Sequence, residues 1–433
     1  MANFTRSVTQ TLVCTVCSVN LAAAEPDPAE VLKVATAKVL LSIQRIPNYT
    51  CVQTVNRNYF RAAKDHSPSV CSPSSDLSAP PAHDRLVAAD RLRLEVTMTD
   101  QGELFSFAGA PNFDDSGIGD VVSSGSIGSG MFAGFLNSAF QDHGGKLTSL
   151  RNLVVEGRHL LEYSFHVSEA DSNYRIFERT QRFAAKTAYS GTVQIDPETA
   201  GVVRLTVHTA VLPPAAGSCR TLTSIDFGNV KLADAQFSLP TLARQRFVYA
   251  NGEETDNTIT FAGCREYHAE ANLTFDDPNR PANQNPDPKP KVRSLPPDLR
   301  FTLELTQPIR ADTAAAGDPF TARLAGPLIS WSGKTMVTLA PKGTVVKGRL
   351  MRVEFRIPDD QLVLMLKPET LEIPGATARL RATRDFEGSN TSHNEEIPLR
   401  QPNEVDSGGF IFRGIHTVIP KGLRSDWHTL RGP

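Results

Sequence analysis

The chain has 433 residues, of which 40% are hydrophobic and 21% charged, with a formal net charge of −2. That length accommodates two or three domains with packed cores. The near-neutral charge excludes a strongly basic nucleic-acid footprint, and the apolar content excludes a wholly disordered chain.

Residues 1–24 read as a secretory signal. Arg6 supplies a charged start, Thr11 to Ala23 a modest apolar stretch, and Ala22-Ala23-Ala24 small residues before Glu25. The stretch is broken by Asn20 and is too short for a membrane span. Cys14 and Cys17 each follow a valine, so a lipoprotein signal is not satisfied. No other run approaches ~20 apolar residues, so the mature chain is expected to be soluble, periplasmic or secreted. It retains Cys51, Cys71, Cys219 and Cys264. An even count in an exported chain points to disulfides, and four cysteines allow three pairings. Cys51–Cys71 and Cys219–Cys264, each close in sequence, are the expected pairs. A zinc site would call for a CxxC or a finger-type Cys/His spacing, and neither occurs, so no metal and no cofactor is expected.

The body from 25 to 275 opens on a helix. Asp27 can cap it, Pro28 suits its first position, and Glu30 stands where a capping box needs it. Leu32, Ala35, Val39, Ile43 and Ile46 recur on one face until Pro47. Asn48 to Phe60 follows as a strand, then a polar loop from His66 to Pro81. Arg91 to Met98 alternates, with Leu92, Leu94, Val96 and Met98 inward and Arg91, Arg93, Glu95 and Thr97 outward. Asp100-Gln101-Gly102 turns into Leu104 to Phe107. Leu161, Tyr163, Phe165 and Val167 share a face. Val193 and Ile195 enter the turn Asp196 to Gly201, from which Val203, Leu205 and Val207 return. Phe247 to Ala250 and Thr258 to Phe261 flank an Asn251-Gly252 turn. Such hairpins build an antiparallel meander with one face covered, by the first helix and by a second near Met131 to Phe140.

Gly117 to Gly134 carries glycines ahead of that second helix. No Gly-Lys-Ser/Thr follows, the spacing is not GxGxxG, and Ser126 and Ser129 lack a GxSxG elbow. The stretch is expected to be a flexible loop whose helix packs on the sheet, with a lid over the concavity as the other reading. His159, Glu162 and His166 do not converge on one strand face, Asp142-His143 follows a helix end, and Asp114-Asp115 and Asp276-Asp277 lie in loops. No catalytic residue is selected.

Asp276 to Asp298 has seven prolines in 23 residues and reads as an extended linker. The body from 299 to 433 then shows Phe301, Leu303 and Leu305, Leu362, Leu364 and Leu366, and Ala378, Leu380 and Ala382 as alternating strands, with Pro-Lys-Gly turns at Pro341 and Pro420. A small all-β barrel or sandwich is expected. The fold class is therefore mainly β (α+β), an N-terminal antiparallel half-barrel with covering helices plus the smaller C-terminal body.

The capped helix, the NYTC-type strand and the meander resemble the lipoprotein-sorting superfamily, the periplasmic lipoprotein carriers among them. The hairpin Gly191 to Leu205, the Phe-Ser-Leu-Pro segment Phe237 to Pro240 and the strand Phe261 to Tyr267 resemble those of uncharacterised exported bacterial proteins. The resemblance covers Asp27 to Phe275 and implies a half-open barrel with an apolar concavity, which the carriers use for acyl chains. It transfers no ligand-binding residue. Gly317 to Leu350 resembles β-barrel scaffold domains of type IV secretion outer complexes, which implies a surface for assembly. The expected function is that of a non-enzymatic cell-envelope protein binding an apolar ligand or lipidated partner. A ligand-free scaffold is the alternative, and an exported hydrolase with dispersed carboxylates or histidines the third.

Overall fold

The computed structural model describes residues 26–64, 71–72, 77–99, 102–110, 118–122, 125–132, 134–141, 146–172, 174–178, 183–213, 216–267, 292–373, 375–385 and 404–431. Residues 1–24 and most of the proline-rich stretch lie outside these. Helix α1 (Pro28–Arg45) forms where its caps and period place it. The Asp27 carboxylate accepts from the Ala29 N–H at 3.0 Å. Val31 and Ala35 are buried, and Leu32, Val39 and Ile46 pack beside them. No helix among the described residues is long and apolar enough to cross a membrane.

The first body contains β1 (Tyr49–Phe60), β2 (Leu86–Thr99), β3 (Gly102–Phe107), α2 (Ile118–Val121), α3 (Gly134–Phe140), β4 (Thr148–Val155) and β5 (Arg158–Val167). These are followed by β6 (Arg175–Glu178), β7 (Phe183–Lys186), β8 (Tyr189–Asp196), β9 (Gly201–Thr209), β10 (Ser218–Leu232), β11 (Ala235–Tyr249) and β12 (Glu254–Glu266). The sheet runs β4-β5-β8-β9-β10-β11-β12-β1-β2-β3, antiparallel throughout. Among the described residues β3 and β4 do not pair, so the sheet stays an open half-barrel. Its inner face buries Val55, Leu94, Val193, Ile195, Leu205, Ile225 and Ile259 completely. At about 1.5–3 kcal/mol per buried aliphatic side chain, this face dominates the stability of the body.

Two details differ from the sequence expectation. The β8–β9 ladder carries a bulge, with Gln194 opposite Arg204 but Ile195 opposite Val202. The extra residue shifts the alternation, so Val202 rather than Val203 joins Leu205 and Val207 in the core. The disulfides are Cys51–Cys264 and Cys71–Cys219, not the sequence-near pairs. Cys51 stands near the start of β1, opposite a second bulge where Ala262 and Arg265 flank Gly263 and Cys264. Gly263, at φ +59°, permits that bulge. The polar loop leaves from the far end of β1, about 30 Å from Cys51 at ~3.3 Å per residue. Its described residues Cys71 and Leu77 instead cluster with Cys219, near the start of β10, and Val248.

In the second body Ala382–Arg384, Arg424–Thr429, Arg300–Leu305, Pro319–Leu324, Val345–Arg356 and Gln361–Ile373 are laddered in that order. Gly408–Arg413 and Ala376–Arg379 share the far edge of Gln361–Ile373. The sheet curls around Phe301, Leu303, Phe320, Leu364 and Trp427 and, among the described residues, does not close. The proline-rich stretch enters the described residues at Val292, where Val292–Ser294 forms a short parallel strand on Thr377–Arg379.

The two bodies share a sheet. The outer edge of β2 is divided among three partners. Ala88 to Asp90 pair with Glu354 to Arg356, Leu92 bridges Ala316, and Leu94 to Thr99 pair with β3. Arg93 N–H donates to Ala316 O at 2.7 Å, and Ala316 N–H donates back to Arg91 O at 2.8 Å. The side chains expected to face water on β2 are covered here. Arg91 donates to the carbonyls of Ala311, Asp312 and Ala314, and Arg93 pairs with Asp318 at 2.5 Å. Glu95 and Thr97 are buried as well.

Candidate functional site

The concave face of the half-barrel carries both apolar and polar side chains at inward positions. On β1 the inward positions are Tyr49, Cys51, Gln53, Val55 and Arg57, all nearly fully buried. Register places Asp90 of β2 and Asn257 of β12 on either side of Arg57. Arg57 grips Asp90 through two bonds, Nε–Oδ1 at 2.7 Å and Nη2–Oδ2 at 2.6 Å, and the Tyr59 hydroxyl donates to the same carboxylate at 2.9 Å. Gln245 and Thr255 continue this buried polar layer.

The Gly-rich segment lies over it. Gly128 N–H donates to Gln245 Oε1 at 3.0 Å, and Asn257 Nδ2 donates to Ser126 O at 2.9 Å. The Ser126 hydroxyl meets that of Tyr249. Gly125, at φ +72°, passes so close to Arg57 and Tyr59 that a β-carbon would collide with both side chains. Residues 125–128 are thus pinned, where the sequence expectation was a flexible loop. Beyond them, Met131, Phe132, Phe135, Leu136 and Phe140 enter the apolar part of the concavity. Phe132 makes edge contacts with Tyr49 and Phe261, and Phe135 with Tyr174 and Tyr189.

What the plug leaves open is a cavity of about 1990 Å³. Its apolar walls come from Val39 and Ile43 of α1 and its C-cap Ile46, Phe105 and Phe227 of the sheet, and Ile127 and Phe132 of the pinned segment. Glu103 stands at its wall, partly exposed overall but with its carboxylate turned onto backbone N–H groups. It accepts from Gly130 at 2.7 Å and from Phe132 at 3.1 Å. Burial pushes this carboxyl above the usual carboxylate range, against the opposing pull of the Gly130, Phe132 and Met131 N–H groups. Burial, and then the charge of Glu103, also push the Tyr49 phenol up.

The residues singled out from sequence do not meet at this site. Glu162 is buried, bonded to Arg151 at 2.7 Å and Gln194 at 3.0 Å, His159 is exposed, and His166 contacts Ser190 at 2.9 Å. Asp114-Asp115, Asp142-His143 and Asp276-Asp277 fall outside the described residues. Of the two serines, Ser126 faces a phenol and Ser129 lines the cavity. Among the described residues no group of three His, Cys, Asp or Glu could hold a metal ion. Sequence reading missed Glu103, Arg57, Asp90, Gln245 and Asn257. The one available signal was polar residues at inward parity, Gln53 and Arg57 on β1.

No protein-family profile and no curated protein sequence matches the chain. Among solved structures it is similar to a LolA-superfamily protein of Nitrosomonas europaea, at 8% identity and TM-score 0.24, over 56% of this chain and 94% of that one. It is also similar to ComB10 of the Com type IV secretion system of Helicobacter pylori, at 14% identity and TM-score 0.17, over 31% of this chain and 86% of that one. These are the two groups that the sequence motifs resemble.

Proposed function

We propose that this is a non-enzymatic, exported protein of the cell envelope, periplasmic or secreted. Its N-terminal domain, 25–275, binds an apolar ligand or a lipidated partner in the half-barrel concavity, and its C-terminal domain, 299–433, contacts another envelope component. The observation that carries the reading is the cavity between α1 and the pinned segment. At about 1990 Å³ it exceeds the ~300–1,000 Å³ of ordinary small-molecule sites, and aliphatic and aromatic side chains share its walls with glycines and polar groups such as Asn48, Arg158 and Asp196. The two disulfides suit an oxidising compartment.

Native mass spectrometry of the mature protein, purified without detergent and repeated after organic extraction, tests this. A bound mass that disappears on extraction is expected. A clean apo mass, together with no uptake of a fluorescent fatty acid, would overturn the ligand reading. The scaffold reading would then stand, and one observation favours it: the protein's own Phe132, Phe135 and Phe140 already occupy much of the inner face.

A further inference from the structure

The C-terminal body carries a ribbon that, among the described residues, lies outside the main sheet. Leu328–Ser332 and Thr335–Ala340 pair with each other. Leu328 and Ala340 anchor its base, at 1% and 0% exposure. From there the ribbon runs about 14 Å, at ~3.4 Å per residue, to the Gly333-Lys334 turn. Thr335 to Thr338 are all exposed. Trp331 stands directly opposite Met336, so both lie on one face, and they are 67% and 57% exposed. Val337 is exposed on the other face. A free two-stranded hairpin is marginal in water, and grouping large apolar side chains at its tip adds no stability there. The placement makes sense only against something that covers the tip.

Charge selects what that is. Residues 326–343 contain Lys334 and Lys342, both exposed, and no aspartate or glutamate. An amphipathic tryptophan, a flexible methionine and Lys334 at one tip, with no acidic residue in 326–343 and Lys342 just past the base, match the boundary between anionic headgroups and acyl chains. We infer that this tip docks on an anionic lipid surface, with Trp331 and Met336 at the headgroup level and Lys334 on the phosphates. A ribbon of this length cannot cross a ~30 Å hydrocarbon layer, so the contact is peripheral and reversible. The inference does not depend on what fills the N-terminal cavity.

The chain has two tryptophans, and the other, Trp427, is fully buried, so a change of emission on adding vesicles reports Trp331. The full-length protein is mixed with phosphatidylglycerol–phosphatidylcholine vesicles and, separately, with pure phosphatidylcholine vesicles. Flotation and a blue shift are expected with the first and much less with the second. Trp331→Ser combined with Met336→Ser should abolish flotation while leaving the melting temperature unchanged. Lys334→Glu should weaken binding to the anionic vesicles by fivefold or more, since each cation near such a surface is worth roughly that factor. Three outcomes overturn the proposal: no flotation with either vesicle, flotation that survives the double substitution, or a concentration-dependent dimer lost on Trp331→Ser without vesicle binding. The last would make a second copy of this chain the occupant.

Discussion

Glu103 is one of the side chains that hold the glycine-rich segment over the concavity. Its carboxylate collects the N–H groups of Gly130 and Phe132, at the point where the pinned segment turns into the cavity wall. Because burial raises its pKa, ionising it costs the native state. The contribution is fully present below the unfolded value, about 4.3, and is lost as pH rises through the higher folded value. Glu103→Gln keeps one acceptor and does not titrate. The stability of that variant relative to the parent should therefore improve between about pH 4 and pH 8, read as the difference in urea midpoints at the two pH values. A pH-independent difference would mean that the folded pKa is not raised. Arg57 contrasts with it, because its charge is compensated in place by the two bonds to Asp90. Both residues were illegible in the sequence for the same reason. Parity shows that a polar side chain points inward, but the partners are distant in sequence: strand register brings Asp90 to Arg57, and a segment folded over the sheet brings the Gly130 and Phe132 N–H groups to Glu103.

At the level of elements, the sequence was legible wherever the rules are local. The cap and period of α1, the Asn251-Gly252 turn and the inward set Leu161, Tyr163, Phe165 and Val167 are all where short-range chemistry put them. It failed at bulges, because one extra residue reverses the parity of everything beyond it, as at Val202 and Val203. The disulfides fail for a related reason: sequence proximity says little when a long strand separates two cysteines. Non-reducing digestion should join the peptides bearing Cys51 and Cys264, and those bearing Cys71 and Cys219. A Cys51–Cys71 peptide would contradict the ladder that places Cys264 beside β1. The Cys71–Cys219 bridge spans 148 residues and ties the polar loop to β10. Replacing both cysteines by serine should cost about 2–5 kcal/mol in urea unfolding, chiefly by freeing the unfolded chain.

On the scale of the molecule, the question the sequence left open was whether the two bodies act separately. A proline-rich stretch argues for a spacer, yet β2 gives its outer edge to both bodies, and that bears directly on cooperativity. If the C-terminal body unfolds, β2 loses its ladder with Glu354 to Arg356 and its bridge to Ala316, and Arg93 loses Asp318. Partial unfolding would thus strip backbone partners from a strand of the other core, so the intact protein should melt in one calorimetric transition. Gly317 is where this coupling is most exposed to a single change. It sits at φ +106°, and a β-carbon there would fall onto the Arg93 carbonyl and against the Phe107 ring. Its own N–H donates to Leu350 O at 2.8 Å, and its carbonyl accepts from Arg349 at 2.6 Å. Gly317→Val must therefore push the 311–318 loop off β2, which takes Ala316 out of the N-terminal core while the strands of both bodies remain. Overall stability should fall by about 2–4 kcal/mol, from the unfavourable φ and the overpacking together. More telling, the single transition should split in two, one for each core. A parent protein that already melts in two separated steps, or a variant that keeps one unshifted step, would show that the shared edge carries no coupling.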